Sequence, residues 1–168
     1  SIPRHEIVTT GRKKHSIMMI GREAAGGGEN IRLWRTNLHD QLSYVQDALL
    51  AKSLTYEEFH EGLQRSTFCF IVPGDTPSTS KLYKAIFFGC IPVIFISFPS
   101  LLPFHSILDW SKFSIVVRKD IIRMPGQVDK LIARLLQIME EPQVLTNYQI
   151  HLHQAARLFN FSVWEWPS

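Results

Sequence analysis

Apolar runs and amphipathic segments alternate along the chain. Uninterrupted apolar runs are typical of strands covered on both faces, and apolar residues spaced three and four apart are typical of helices. The runs predict strands at residues 15–20, 44–50, 67–72, 91–96 and 113–117. The helical spacing predicts helices at residues 30–42, 56–64, 78–88, 127–140 and 143–159. Because strands alternate with helices, the fold class is α/β, with a doubly wound, mainly parallel, Rossmann-like sheet.

Capping residues mark several of the predicted helix ends. Asn30 and Thr55 are predicted N-caps, because their side-chain oxygens can accept hydrogen bonds from free backbone amides. Gly89 is predicted to end the third helix, and Pro142 to separate the last two.

Two loops follow predicted strands, at residues 21–29 and 73–80. In a doubly wound sheet the ligand lies beyond the carboxyl ends of the strands, at helix N-termini. The first loop contains three successive glycines but matches neither the dinucleotide fingerprint nor the P-loop. Its glycines either relieve backbone strain in a turn or admit a ligand. Arg32, in the first turn of the next helix, sits where a guanidinium could reach a phosphate.

The second loop and the helix after it carry more specific candidate chemistry. Free amides at a helix N-terminus form a natural phosphate seat, and two lysines follow in the first helical turns. The arrangement suits a ligand with a diphosphate, such as a nucleotide sugar. The alternative interpretation is ordinary helix capping with two solvated lysines. The candidate binding residues are Gly74, Asp75, Thr76, Ser78, Thr79, Lys81 and Lys84, together with Arg32.

Composition bounds the class of protein. The 168 residues are 45% hydrophobic and 20% charged, as expected of one globular domain over residues 1–168. The net charge is +3 with a pI near 9.0, but the basic residues are scattered, so we expect no nucleic-acid face. No apolar run approaches the ~18 residues of a membrane span. The start has neither Met nor a signal-peptide pattern, so we expect a piece of a longer protein.

Cysteine and histidine usage leaves one question open. Cys69 and Cys90 fall in predicted buried elements, and either a single disulfide or two buried thiols fits them. The seven histidines lack the spacing of metal ligands, and His151 and His153 read as ordinary surface residues. The histidine pattern therefore gives no sign of a metal site.

An ordered series of motifs resembles the exostosin-family glycosyltransferases, most closely their plant-type branch. The resemblance is dense from Ser66 to Val117 and thinner over residues 15–42, where Ile31 and Arg32 match the family's pair after the Gly-rich loop. Beyond Ile122 the chain shares with the family only its helical character. The motifs are STFC (66–69), PGDTPS (73–78), GCIPVI (89–94), LPF (102–104) and ILDWSKFS (107–114).

The resemblance implies a two-domain GT-B enzyme, with this chain as its C-terminal, donor-binding half. It implies inverting transfer from a nucleotide sugar, usually a UDP-sugar, to a growing glycan, without a required metal. It also implies a Golgi membrane protein with its catalytic part in the lumen, anchored through a segment outside this chain.

Two positions depart from the family pattern. The family usually has Arg where this chain has Lys81, and an acid where it has Lys84. Lys81 keeps the charge but loses bidentate geometry. By helical spacing, the family's acid at position 84 lies on the side of the helix that faces the donor. Lys84 reverses the charge there. Lys84 therefore puts donor binding or activity in question, unless it pairs with the donor's phosphates or with an acid elsewhere.

No catalytic base is identified. His105 is a candidate but reads as a solvated loop residue, and Asp109 reads as a turn or capping residue. Three functional hypotheses follow: the donor-binding half of a glycosyltransferase, a degenerate paralogue that serves as a partner subunit or glycan-binding domain, and an unrelated nucleotide-binding domain.

Overall fold

The computed structural model describes residues 13–20, 29–72 and 80–159. Within these ranges five strands form one sheet in the order β2-β1-β3-β4-β5, and all four pairings are parallel. This confirms the predicted doubly wound parallel sheet. The strands are β1 (His15–Ile20), β2 (Leu49–Ala51), β3 (Ser66–Ile71), β4 (Ile91–Ile96) and β5 (Ile115–Arg118).

Five α-helices cover the sheet in the described ranges: α1 (Glu29–Leu42), α2 (Tyr56–Arg65), α3 (Ser80–Phe87), α4 (Gln127–Glu140) and α5 (Pro142–Leu158). Helix α2 contacts α3 and α3 contacts α5, whereas α1 contacts α4; the consecutive helices α4 and α5 also contact each other. Right-handed crossovers explain this division. The chain runs outward through α1 from β1 to β2, and it runs the opposite way through α2 and α3, so the two groups lie on opposite faces.

The core lies on both faces of the central strands. Every residue of β3 and β4 is buried, as the uninterrupted apolar runs predict. Helix α3 packs against them through Leu82, Ala85 and Ile86, each at most 1% exposed. This is the stripe expected from its three- and four-residue spacing.

Several predicted boundaries shift, most by one residue. The second strand is limited to β2, because residues 43–48 form successive turns and Asp47 has a positive φ of 63° that a strand does not accommodate. Strand β5 begins at Ile115 and not at residue 113, because Phe113 closes the 3-10 turn Trp110–Lys112. Helix α1 begins at Glu29, one residue before the predicted cap Asn30.

The cap predicted at Thr55 is confirmed. The Thr55 hydroxyl accepts from the Glu58 amide at 3.2 Å, and the Glu58 carboxylate accepts from the Thr55 amide at 2.9 Å. This reciprocal capping box satisfies two backbone donors at the start of α2.

Cys69 and Cys90 form a disulfide, which decides between the two alternatives left by the sequence. Their Cα atoms are 5.8 Å apart, within the usual range. Both cysteines are buried. The bridge closes a ring with a sequence separation of 21 residues, which contains residues 73–79 and all of α3.

Candidate functional site

The order of the strands identifies the edge where a ligand is expected. From β1 the chain passes outward to β2, whereas β3 leads to β4 on the other side. The neighbours β1 and β3 therefore flank the topological switch point, where ligands of open α/β sheets bind beyond the carboxyl ends. Ile20 ends β1 and Ile71 ends β3, so the two loops singled out from the sequence follow directly from this point.

A small cavity lies beneath the switch point, on the side covered by α2. Its volume is about 20 Å³, which is room for about one water molecule. A nucleotide sugar is far too large to enter a cavity of this volume. The cavity is lined by Met18, Ile20, Phe59, Leu63, Cys69, Phe70, Ile71 and Lys81.

Lys81 joins the two sides of the switch point. It is an exposed residue in the first turn of α3, and its Nζ donates to the carbonyl oxygen of Ile20 at 3.3 Å. This contact places the ammonium group of Lys81 at the carboxyl end of β1, although α3 follows β3. Of the predicted binding residues, Lys81 is therefore one that the fold brings to the expected edge.

The N-terminus of α3 adds a second favourable feature for an anion. The first-turn amides of a helix lack intrahelical acceptors, and the helix dipole makes this end partly positive. The first turn of α3 contains no acidic residue that would compete for these groups. Backbone and side chain thus contribute the same sign of charge at one place.

Lys84 occupies a different environment from Lys81. Its Nζ lies over the ring of Tyr56, 5.4 Å from the centroid, and 5.7 Å from the centroid of Phe59. Both distances are within the usual range of a cation–π contact. We call the three residues Tyr56, Phe59 and His60 of α2 the aromatic seat. Lys84 thus points towards α2.

His60 completes the aromatic seat. Its ring stacks on Phe88 with centroids 4.7 Å apart and meets the Tyr56 ring edge-on at 3.9 Å. Burial, and secondarily the charge of Lys84, hold the pKa of His60 below its usual value. Its buried Nε2 has no hydrogen-bond partner among the described residues. A neutral imidazole is therefore the favoured form here.

The sequence analysis did not identify the aromatic seat. Its members are spaced i, i+3 and i+4, so the pattern does place them on one face of a helix. The spacing does not tell which other helix that face meets. Only the packing of α2 against α3 brings Lys84 onto it.

A second unpredicted contact lies at the far end of α3. Nζ of Lys13 donates to the carbonyl oxygen of Gly89 at 2.7 Å, and burial lowers the pKa of Lys13 to about 8. Gly89 has a φ of 78°, and the next amide, that of Cys90, donates back to the carbonyl of Ala85 at 2.9 Å. Lys13 therefore supports the C-terminal end of α3, away from the switch point.

The two candidates for a catalytic base, Asp109 and His105, lie in different environments. The Asp109 carboxylate accepts from the side chain and the backbone amide of Ser111. Chiefly the side-chain hydrogen bond lowers the pKa of Asp109. This confirms the predicted capping role. His105 lies in an exposed turn, where its amide donates to the carbonyl of Leu102.

Several predicted binding residues lie outside the described part of the chain: Gly74, Asp75, Thr76, Ser78 and Thr79. The backbone of Arg32 lies in the first turn of α1, as predicted, and its side chain is outside the described part. In residues 13–20, 29–72 and 80–159, no three His, Cys, Asp or Glu residues are grouped so that they could hold a metal. No helix in the same ranges is long and apolar enough to cross a bilayer.

Comparisons with known proteins agree with the pattern of motifs. Residues 6–132 match the family described as the Exostosin GT47 domain. A probable arabinosyltransferase of Arabidopsis thaliana is 32% identical over 101 residues, which cover 60% of this chain and 21% of that protein. A probable glucuronosyltransferase of Oryza sativa subsp. japonica is 36% identical over 64 residues, which cover 38% of this chain and 15% of that protein. The chain therefore spans a minor part of these relatives.

A solved structure supports the fold independently. The catalytic domain of cholesterol-alpha-glucosyltransferase from Helicobacter pylori aligns with a TM-score of 0.54 at 18% identity. The alignment covers 88% of this chain and 99% of that chain. At this identity the likeness establishes the Rossmann-like fold and carries nothing about substrates.

Proposed function

The chain belongs to the exostosin GT47 family of glycosyltransferases, and we propose that it is the donor-binding domain of an inverting enzyme. In this proposal a sugar passes from a nucleotide sugar, of the UDP-sugar type, to a glycan acceptor. The chain forms the C-terminal half of a GT-B fold, and the acceptor binds largely to a domain outside residues 1–168. Family membership disfavours the third hypothesis, an unrelated nucleotide-binding domain.

The position of Lys81 carries the proposal. Its ammonium group lies at the switch point between β1 and β3, beside an α3 N-terminus that contains no acid in its first turn. The same edge receives the Gly-rich loop and the loop with the sequence GDTPS. A diphosphate placed there would meet amides, hydroxyls and a cation together.

The proposal assigns a role to each candidate residue. Gly74 allows the backbone to approach the diphosphate, whereas Asp75, Thr76, Ser78 and Thr79 supply caps or hydroxyls around it. In the proposal Lys81 contacts a phosphate as a point charge, and Arg32, in the first turn of α1, supplies a second cation. Lys84, one turn further along α3, adds positive charge to the same helix.

The proposed reaction explains why positive charge is useful at this edge. The acceptor hydroxyl oxygen attacks the anomeric carbon and forms the new glycosidic bond, while the bond from that carbon to the diphosphate oxygen breaks. The electron pair leaves with the nucleoside diphosphate, and the hydroxyl proton passes to a base on the acceptor side. Lys81 and the α3 N-terminus stabilise the charge that develops on the leaving diphosphate. No metal or further cofactor is needed for this step.

The disulfide supports a lumenal location. Buried disulfides are typical of proteins that fold in oxidising compartments and are rare in the cytosol. Together with the family resemblance, this supports our proposal that the domain lies in the Golgi lumen and that membrane attachment is through a segment outside this chain.

Calorimetry with UDP tests the proposal. We expect the 168-residue chain to bind UDP, and Lys81→Ala to weaken binding at least tenfold, because a charge-assisted contact is worth about 1.5–3 kcal/mol. Lys130→Ala is the matched control, since Lys130 is also an exposed lysine in the first turn of a helix. We expect it to bind UDP like the unmodified chain. Equal losses in both variants would contradict a specific role for Lys81.

The second candidate function is a degenerate paralogue that acts as a partner subunit or a glycan-binding domain. The observation that favours it is Lys84, a cation at a position where the family usually has an acid. In that case neither the folded chain nor the full-length protein binds UDP, UDP-sugars or GDP-sugars. UDP binding that depends on Lys81 would exclude this alternative.

A further inference from the structure

We propose that Lys84 is a positioning residue, which holds the ligand-binding end of α3 on the aromatic seat of α2. The inference rests on the proposed function for its consequence, UDP binding, but its structural part can be tested without nucleotide. It assigns to Lys84 a role through Lys81 and not a contact with the donor.

The first step is the contact of Lys84 with two aromatic faces. Its Nζ is 5.4 Å from the centroid of Tyr56 and 5.7 Å from that of Phe59. Tyr56 and Phe59 are three apart on α2, so both rings stand on the side of α2 that meets α3. Because aromatic faces carry negative potential, they attract the ammonium group. This interaction ties the middle of α3 to the first turn of α2.

The second step connects this contact to the switch point. Phe59 lies near Lys84 and also lines the small cavity that Lys81 lines. The two lysines are three residues apart on α3, so Phe59 lies near the surroundings of both. A change that lifts Lys84 from the aromatic seat would shift Lys81, whose Nζ lies 3.3 Å from the carbonyl oxygen of Ile20.

The third step concerns the sign of the charge. A carboxylate at position 84 would face the same aromatic rings, which repel negative charge. If instead Lys84 had merely spoiled a donor site, Lys84→Glu would tighten binding of the nucleotide. The two explanations thus predict opposite effects of one substitution.

His60, the third residue of the aromatic seat, reports on the Lys84 charge through its pKa. The groups that face it are Tyr56 and Phe59 on α2, Phe88 beyond the end of α3, and the charge of Lys84. Burial is the first cause of its lowered pKa, and Lys84 is the second. Removal of the Lys84 charge should therefore raise the pKa of His60 even when no nucleotide is present.

The experiment compares Lys84→Arg, Lys84→Met and Lys84→Glu in the 168-residue chain. The measurements are the His60 titration by NMR, hydrogen exchange of the α3 amides, and UDP affinity by calorimetry. We expect Lys84→Arg to stay within about twofold of the unmodified chain in UDP affinity, since guanidinium also stacks on aromatic rings. Lys84→Met should raise the pKa of His60 and weaken UDP binding severalfold, and Lys84→Glu should weaken it at least tenfold.

A double variant guards against simple unfolding. Tyr56→Leu removes the opposite partner of the contact, so Tyr56→Leu combined with Lys84→Met should weaken UDP binding by less than the product of the two single effects. Exchange of the β3 amides serves as the check that the core remains folded. The proposal is overturned if Lys84→Glu tightens UDP binding or leaves it unchanged, or if Lys84→Met leaves both the His60 titration and the α3 exchange unchanged.

Failure of the proposed function gives a different pattern. If the unmodified chain does not bind UDP, while Lys84→Met still raises the pKa of His60 and speeds exchange in α3, the aromatic seat is correct and the nucleotide site is wrong. If UDP binds and those two measurements do not respond, the nucleotide site stands and the positioning role is refuted.

Discussion

At the scale of single residues, three lysines in or near α3 have three different environments. Lys81 lies at the switch point, Lys84 over aromatic rings, and the partly buried Lys13 against the carbonyl that follows the helix. A lysine can serve in each way because its charge sits at the end of a long apolar stem. The type of residue alone therefore does not decide which lysine is functional.

Lys13 gives a prediction about pH. Its pKa falls from the usual 10.5 to about 8 because burial disfavours the charged form. Between these two values the unfolded chain binds more protons than the folded chain, so stability rises with pH. The free energy of unfolding of the unmodified chain minus that of Lys13→Met should increase by roughly 2 kcal/mol from pH 8 to pH 10. The neutral amine still donates to Gly89.

Urea denaturation at pH 6, 7, 8, 9 and 10 measures this difference. Subtraction of the Lys13→Met curve removes the contributions of tyrosines and other lysines that titrate in the same range. Lys14→Met is the control, since Lys14 is exposed. The difference should be nearly constant between pH 6 and pH 7. A difference that is flat up to pH 10 would contradict the burial of the Lys13 charge.

At the scale of elements, the segment from β3 to β4 is held at both ends. The disulfide joins Cys69 in β3 to Cys90 just before β4, and the contact of Lys84 with the aromatic seat joins α3 to α2. Residues 73–79, which the proposal assigns to donor binding, are therefore preceded and followed in sequence by elements that are held in place. A rigid frame around a binding loop is how such loops are usually positioned.

Removal of the disulfide should destabilise the chain measurably. A bridge with a sequence separation of 21 residues restricts the unfolded chain, and this entropy effect predicts that the bridge adds about 3 kcal/mol to the free energy of unfolding. The comparison is Cys69→Ala, Cys90→Ala and the double variant, measured by urea denaturation. All three variants lack the bridge, so the free energy of unfolding of each should fall by at least about 2 kcal/mol. The differences among the three variants measure the effect of the small cavities that the shortened side chains leave.

If the free energy of unfolding of the single variants stays within about 0.5 kcal/mol of that of the unmodified chain, the bridge contributes little to stability. Since both cysteines are buried, mild reductant should have little effect on the folded protein unless it first opens.

At the scale of the whole molecule, the central strands and the outer strand should differ in local stability. Strands β3 and β4 are buried throughout and each pairs on both sides, whereas β2 has three half-buried residues and pairs only with β1 in the described sheet. Amide exchange in native conditions should therefore be slowest at residues 68–70 and 93–95, where opening requires global unfolding.

We expect the hydrogen-bonded amides of β2 to exchange at least tenfold faster than those of β3, measured by NMR or mass spectrometry at fixed pH. UDP, if bound, should slow exchange around the switch point more than in α4. Equal exchange rates in β2 and β3 would mean that the sheet opens only as one unit.

Much of this architecture was determined by the sequence itself. Uninterrupted apolar runs at β1, β3 and β4, the apolar stripe of α3 and the cap at Thr55 are local patterns, and each led to the observed element. The ordered motifs from STFC to ILDWSKFS resemble those of the family, and the family match over residues 6–132 confirms this resemblance. Local propensity and burial pattern act over a few residues, so they can be read without the fold.

The tertiary structure decided what depends on residues far apart in the chain. The pairing of Cys69 with Cys90, the reach of Lys81 to Ile20 and the placement of Lys84 on α2 each join different elements. The sequence did not decide whether the two cysteines are bridged, and it placed both lysines on one face of α3. Spacing fixes the face of a helix, but which neighbour covers that face follows from the strand order and the crossovers. The strand order and the crossovers therefore decided that Lys81 meets the end of β1 while Lys84 meets the rings of α2.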